Sequence, residues 1–234
     1  MNTLSESLLV AAGLVTHFDA HLVDIVLLSL RVSMTATFFA ACIGLPLGAA
    51  IAVGRFSGRS AMIVMLNAMM GLPPVVVGLI VYLLLSRAGP LGSLGLLFTP
   101  GAMVIAQTIL IAPIIAALTR QIVADAWAEY REQLTSLGAG TYRSAMTLLW
   151  DTRFSLATVL LAGFGRAIAE VGAVMIVGGN IAGVTRVMTT TIALETSKGD
   201  LPLALALGLV LIAIVVLLNA AAHATREWTR ARFG

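Results

Sequence analysis

Arg166 and Glu170 are the charged residues whose spacing most directly suggests chemistry in this chain. They lie four residues apart within an apolar stretch, so a helix would place them one turn apart on the same face. An unpaired charge inside a bilayer is costly, and charges there normally pair with one another or face a polar cavity. The spacing leaves two interpretations open: a purely structural ion pair, or a pair that lines or gates a path through the membrane.

A segment rich in glycine and threonine follows the same apolar stretch. It begins at Gly178, Gly179 and Asn180 and continues to the run of threonines at 189–191. Glycine permits tight backbone turns, and threonine offers hydroxyl groups for hydrogen bonds. We interpret the segment either as a re-entrant segment or lid over a pore, or as an ordinary exposed loop.

The residue clusters that metal, nucleotide or hydrolytic chemistry requires are absent from the sequence. The 3 histidines are scattered at segment ends and do not form a set of metal ligands. Lys198 is the only lysine, and its neighbours Ser197 and Gly199 do not fit a phosphate-binding loop. We therefore expect no catalytic residue, no metal and no cofactor in this chain, so a nucleotide that drives it must bind another chain.

Composition places the chain in a membrane. Hydrophobic residues make up 59% and charged residues only 11% of it, whereas soluble domains carry about 25% charged residues. We predict an all-α membrane protein, one domain over residues 1–234, with about five transmembrane helices. The sole cysteine, Cys42, is expected to be buried. The predicted spans are 32–53, 61–85, 102–123, 154–177 and 201–222.

Prolines are expected to interrupt three of these spans, because proline removes a backbone donor and clashes with the preceding turn. The predicted helix breaks are Pro46, Pro73, Pro74 and Pro113. Each is read either as a packing kink or as part of a bundle with a polar pathway or moving helices.

The distribution of arginine predicts the orientation. With an odd number of spans, most arginines fall on one side, and the positive-inside rule makes that side cytoplasmic. The N-terminus is then outside and the C-terminus inside. The arginines on the predicted inner side are Arg55, Arg59, Arg131, Arg143, Arg153, Arg226, Arg230 and Arg232, and the outer loops carry Arg87, Arg186 and Lys198.

The polar segment 125–153 is the one sizeable loop between apolar stretches, and this makes it the expected docking site for a soluble partner. Asp125 can start a helix, Gly138 suits the left-handed position after a helix end, and Thr141 can start a second short helix. We expect a compact knob of two helices with a glycine elbow. Its internal apolar contacts are expected from Trp127, Leu134, Leu137, Tyr142 and Leu149.

These residues resemble the permease subunit of ATP-binding-cassette (ABC) importers of the molybdate, tungstate and sulfate group. The cytoplasmic signature of that family is Glu-Ala-Ala, three residues and Gly, and Glu132 and Gly138 stand at the matching spacing. Gln133 and Leu134 replace the two alanines, and Asp151 stands where the family has proline. Further similar stretches are 72–78, 89–92, 166–172 and 178–181, and residues 189–200 look most like tungstate permeases.

The resemblance implies a type I, molybdate-permease-like fold and transport by alternating access. It implies a homodimer, two ABC ATPase subunits that bind ATP and Mg²⁺, an extracytoplasmic oxyanion-binding protein, a location in the cytoplasmic membrane of a bacterium or archaeon, and no nucleic-acid partner. The implied substrate is tungstate, with molybdate or sulfate as alternatives. The implied ATPase-coupling residues are Glu132, Leu134, Leu137, Gly138, Ala139 and Gly140.

With an oxyanion as the solute, the polar residues in and after the fourth span become candidates for its path. An anion in low dielectric needs donors and positive potential, and a nearby carboxylate would keep Arg166 from holding it too tightly. The candidate residues of the path and outer gate are Arg166, Glu170, Gly178, Gly179, Asn180, Thr189, Thr190 and Thr191.

Two other classes of protein compete with this interpretation. A membrane enzyme would need clustered aspartates or a serine and histidine pair at depth, and the sequence offers neither. A secondary transporter usually has more spans and needs membrane carboxylates for its coupling ion, and only Glu170 qualifies. Co-purification with an ATPase would decide among the three classes.

Overall fold

The computed structural model describes the backbone of residues 4–17 and 19–233 and the side chains of residues 7–17, 19–224 and 227. Throughout that part of the chain the regular elements are helices, which confirms the all-α prediction. The side chains of Arg226, Arg230 and Arg232, which entered the orientation argument, lie outside the described residues. The helices are α1 Leu4–Thr16, α2 Ala20–Val53, α3 Arg59–Met70, α4 Pro74–Leu85, α5 Pro100–Ser136, α6 Thr141–Asp151, α7 Arg153–Ile168, α8 Gly172–Gly178, α9 Met188–Lys198 and α10 Leu201–Phe233, with a 3₁₀ turn at Gly92–Leu94.

The number of membrane spans agrees with the sequence, but their shapes do not. By length and composition, 3 helices can cross a membrane alone, and up to 5 spans result if the bent pairs α3–α4 and α7–α8 each count as one. Three helices are also markedly longer than predicted: α2 begins at Ala20, α5 continues to Ser136, and α10 continues to Phe233. The predicted helix start at Asp125 is therefore wrong, because α5 runs through that residue without interruption.

The prolines behave differently from one another. Pro74 is the first residue of α4 and Pro73 its N-cap, so the predicted break lies there. Pro46 and Pro113 instead lie inside α2 and α5, which remain helical on both sides. The predicted breaks at these two positions are wrong, because a long helix can lose one hydrogen bond when packing and neighbouring polar groups compensate for it.

The chain forms two compact units, each assembled from three separated segments. The single domain expected from the sequence stays a prediction. The first unit contains the described residues up to Ala36, Pro73–Gln107 and Gly165–Leu217, and the second contains Thr37–Leu72, Thr108–Phe164 and the described residues from Leu218 onward.

Small residues let the helices approach closely within each unit. In the first, a Cβ added at Gly78 of α4 would lie 2.8 Å from the Cα of Ala173 in α8. In the second, a Cβ at Gly48 of α2 would lie 2.5 Å from the carbonyl oxygen of Ala116 in α5. Such contacts between backbones are typical of membrane helices, where packing rather than water drives association.

Cys42 is exposed rather than buried, contrary to the expectation from its apolar surroundings. Its neighbours Phe38, Phe39 and Ile43 on α2 are exposed as well. A helix that faces lipid or another subunit presents apolar side chains outward, so an apolar stretch does not by itself place a residue inside the chain.

Candidate functional site

Glu170 lies in a break between α7 and α8, and the apolar stretch 154–177 contains no proline that predicts this break. Its carboxylate is 4% exposed. One oxygen, Oε2, accepts a hydrogen bond from Nη1 of Arg166 at 2.6 Å, and Oε1 accepts one from the backbone N–H of Ala173 at 3.2 Å. The ion pair expected from the spacing is confirmed, and the same carboxylate satisfies a free donor in the first turn of α8.

Two side chains from other helices donate hydrogen bonds to backbone carbonyl groups at the break. Gln107 of α5 donates from Nε2 to the carbonyl oxygen of Ala167 at 3.0 Å. Thr189 of α9 donates from Oγ1 to the carbonyl oxygen of Glu170 at 2.7 Å. Broken backbone at membrane depth needs such partners. Sequence reasoning missed Gln107, although it is one of only two amide side chains in the stretch 102–123, the other being Gln121.

The three threonines are buried, and they begin α9 instead of lining an exposed loop. Oγ1 of Thr190 accepts a hydrogen bond from the backbone N–H of Val187 at 3.1 Å, and Thr191 donates to the carbonyl oxygen of Val187 at 2.7 Å. The N–H of Met188 donates to Oγ of Ser29 in α2 at 2.8 Å. The interpretation of 189–191 as loop is wrong, because the hydroxyls stabilise a helix start that has no Asp, Asn or Ser cap.

The segment between α8 and α9 is a tight, internally bonded turn. Gly179 has φ +71° and Asn180 φ +50°, both left-handed. Thr185 donates from Oγ1 to the carbonyl oxygen of Gly178 at 2.5 Å and accepts from the N–H of Ile181 at 2.9 Å. Nδ2 of Asn180 lies 3.4 Å from the carbonyl oxygen of Thr190. These bonds connect the predicted gate residues at 178–180 to the start of α9.

The predicted path residues are thus brought together, largely through their own mutual bonds. Arg166 differs, because its side chain is 40% exposed even though it is paired with Glu170. A guanidinium group has five N–H donors, so this pairing leaves donors that an anion can use. A role in a translocation path stays a prediction for all eight residues.

The elbow between α5 and α6 has the glycine geometry that the sequence predicted. Gly138 has φ +71°. Its N–H donates to the carbonyl oxygen of Thr135 at 3.0 Å, and the N–H of Ala139 donates to that of Leu134 at 2.9 Å. This pair of bonds is a Schellman motif, which ends a helix by satisfying its last carbonyl groups. The second helix then begins at Thr141, as expected.

The two faces of α6 differ sharply. Leu148 is 1% exposed and packs with Ala49, Ala52, Val53 and Val123 in a core cluster that Trp127, Leu134 and Leu149 also contact. On the other side, Tyr142, Met146 and Trp150 follow each other at intervals of four and are 77%, 51% and 72% exposed. Leu137 is 81% exposed. The internal contacts expected for Leu137 and Tyr142 are therefore wrong, since both side chains point away from the core.

A cavity of about 830 Å³ lies beside the elbow. Its lining includes Arg59, Trp127, Arg131 and Glu132. Arg59 is held in place by hydrogen bonds to the carbonyl oxygens at the end of α2, at 2.8 Å to Ile51 and 3.3 Å to Ala52. The elbow therefore combines a buried core around Leu148, charged groups in the cavity and an exposed apolar stripe on α6. This is the usual composition of a protein-docking surface.

Comparison with known proteins gives relatives along almost the whole chain, although no family model matches. The chain is 41% identical to the tungstate uptake system permease protein TupB of Peptoclostridium acidaminophilum, over 97% of this chain and 100% of the relative. It is 40% identical to a probable anion ABC transporter permease protein of Haloferax volcanii, over 92% and 94%. A more distant relative is the molybdenum transport system permease protein ModB of Mycobacterium tuberculosis, 27% identical over 84% and 78%.

The predicted resemblance is confirmed, and so is the location in the cytoplasmic membrane. The chain belongs to the family of membrane-spanning permease proteins of ABC-type oxyanion uptake systems.

Proposed function

We propose that the chain is the transmembrane subunit of a tungstate importer, in which separate ATPase subunits drive alternating access. The observation that carries the coupling to an ATPase is the stripe of Tyr142, Met146 and Trp150 on α6, exposed on the outer face of a helix whose opposite face is fixed in a core. The substrate rests on the relative named for tungstate uptake. Molybdate and sulfate are the second candidates, since a more distant relative is a molybdenum permease.

In this proposal the elbow transmits force. The left-handed Gly138 and the Schellman bonds fix the angle between α5 and α6. Leu148 packs α6 against the end of α2 and the C-terminal half of α5, so a force on the exposed stripe of α6 is transmitted directly to two long helices. Two copies of the chain form the pore, two ATPase subunits accept the elbows and hydrolyse ATP, and an extracytoplasmic protein delivers the oxyanion.

The proposed orientation has the N-terminus outside and the C-terminus inside. The arginine distribution supports it through the positive-inside rule. The N–H of Met188 donates to Ser29 near the start of α2, so the glycine-rich turn and the N-terminal part of α2 lie at the same level of the first unit in either orientation.

Replacement of Gly138 tests the coupling. A Cβ at this position meets nothing within 4 Å, so Gly138→Val acts through backbone strain alone. Left-handed backbone costs an ordinary residue about 1–2 kcal/mol and a β-branched one more, whereas asparagine tolerates it better. We expect Gly138→Val to abolish tungstate uptake and the stimulation of ATPase activity in proteoliposomes, and Gly138→Asn to retain both in part.

Uptake assays in the same proteoliposomes test which oxyanion is the substrate. Uptake of tungstate is measured with and without an excess of molybdate or sulfate, with the cognate binding protein present. Preferential uptake of tungstate is the expected result.

Normal tungstate uptake and normal stimulation of ATPase activity in Gly138→Val would contradict the coupling role of the elbow. Transport without any ATPase subunit would favour a secondary transporter.

A further inference from the structure

A second cavity lies within the first unit, between the N-terminal part of α2 and the turn that precedes α9. Its volume is about 360 Å³, within the range of small-molecule sites. His21, Asp24 and Arg31 line it from α2, and Gly183 and Arg186 line it from the turn. None of these side chains takes part in the break at Glu170 or in the elbow.

Arg186 is held in a fixed position, but one of its donors is unused. Its backbone N–H donates to the carbonyl oxygen of Ile181 at 3.0 Å, and its Nη2 lies 3.4 Å from the carbonyl oxygen of Asn180. Its Nε is buried and has no hydrogen-bond partner. Because a guanidinium group has five N–H donors, the bond from Nη2 to Asn180 leaves others that an acceptor in the cavity can use.

The charges around the cavity favour an anion. Arg31 and Arg186 contribute two positive charges, and His21 contributes a ring N–H donor. Asp24 is the one acidic residue in the lining. The ion pairs Arg166–Glu170 and Lys198–Glu195 do not include Asp24. Asp24, Arg31 and Arg186 are all described, and no ion pair joins Asp24 to either arginine.

We propose that this cavity is a binding subsite for a small tetrahedral dianion, separate from the pairing site at Arg166. Arginine suits this ligand because its planar group donates two parallel hydrogen bonds to oxygens. The identity of the dianion as tungstate rests on the proposed function. In the proposed orientation the subsite lies on the outer side, where it would receive the ion before the ion reaches the membrane interior. Asp24 weakens the hold by like-charge repulsion, so that the ion can leave.

The test is equilibrium binding of sodium tungstate to the full chain, assembled with its ATPase subunits in lipid nanodiscs without nucleotide, by isothermal titration. We expect Arg186→Gln and Arg31→Gln each to weaken binding about tenfold or more, the factor typical for loss of a hydrogen bond to a charged group. Arg186→Lys keeps the charge and should weaken it less. Asp24→Asn should tighten binding severalfold, an effect that loss of structure cannot imitate.

Arg87→Gln is the matched control, because Arg87 is an exposed arginine outside the cavity. It should bind tungstate as the unaltered chain does. Three results would overturn the subsite and leave the proposed function standing. They are unchanged tungstate binding in Arg186→Gln, weaker tungstate binding in Asp24→Asn, and no tungstate binding by a chain that still supports uptake. The same pattern with sulfate or molybdate but not with tungstate would support the subsite and overturn the proposed substrate. Weaker docking of the oxyanion-free binding protein to Arg186→Gln, with tungstate binding unaltered, would make the cavity a protein contact and overturn the subsite.

Discussion

At the scale of single residues, Glu170 joins α7, α8 and α9 at the break. Its carboxylate pairs with Arg166 and accepts from Ala173, and its carbonyl oxygen accepts from Thr189. Because the carboxylate is almost fully buried, removal of its partner leaves a charge with a single hydrogen bond. Removal of both charged groups leaves neutral amides, for which burial costs far less.

The pair can therefore be separated into a structural and a transport role. Arg166→Gln should lower the free energy of unfolding by roughly 1–3 kcal/mol, because it leaves the Glu170 carboxylate without its partner. The double variant Arg166→Gln/Glu170→Gln should recover most of that stability but not the uptake, since the anion loses its cation. Thermal unfolding in nanodiscs and tungstate uptake in proteoliposomes measure the two effects. Full uptake by the double variant would show that the pair is only structural.

At the scale of elements, α4 and α8 illustrate how the broken spans are held. α8 has only 7 residues and cannot be stable alone. Its backbone lies directly against α4 at Gly78, where the carbonyl oxygen of Ala173 would also be 3.2 Å from an added Cβ. The glycine therefore positions α8, and through it the break at Glu170 and the turn at Gly179.

A single methyl group tests this packing. Gly78→Ala should force α4 and α8 apart and lower the free energy of unfolding by about 1–3 kcal/mol, the usual cost of overpacking. Gly165→Ala in α7 is the control, because its Cβ meets nothing within 4 Å and alanine favours a helix. Thermal unfolding should rank the control at or above the unaltered chain. Equal stability of the two variants would mean that the approach of α4 and α8 is not tight.

At the scale of the whole molecule, the proposed orientation determines which loops face the cytoplasm. The proposed orientation depends on arginines, and those at the C-terminal end lie outside the described side chains. The short turn at Ser57 lies on the predicted inner side, and Ala182 lies in the glycine-rich turn on the predicted outer side. Both residues are exposed, and so is the sole cysteine.

Cysteine labelling in intact cells tests the orientation. With Cys42 replaced by Ser, single cysteines at Ser57 and Ala182 should differ in their reaction with a membrane-impermeant maleimide. We expect Ala182→Cys to react in intact cells and Ser57→Cys only after the membrane is opened, because the positive-inside rule places Arg55 and Arg59 in the cytoplasm. Reaction of both from the same side would exclude the arrangement.

The sequence by itself determined several features, because each follows from local chemistry. Long apolar stretches predict helices that cross a membrane, and Gly138 predicts a left-handed helix end wherever its helix lies. The spacing of Arg166 and Glu170 predicts their ion pair, and residues 132–138 indicate the family. These properties depend on neighbours within a few positions of the chain, so pattern and spacing are enough to predict them.

Only the tertiary structure decided which polar groups meet across the chain. The break at Glu170 depends on Gln107 and Thr189, and the start of α9 on Ser29, none of which is near its partner in sequence. The outward direction of Tyr142 and Leu137 follows from the core cluster that Leu148 joins. Membrane helices expose apolar residues to lipid and bury polar ones inside, so hydrophobicity alone does not tell inside from outside. That choice depends on packing between distant segments.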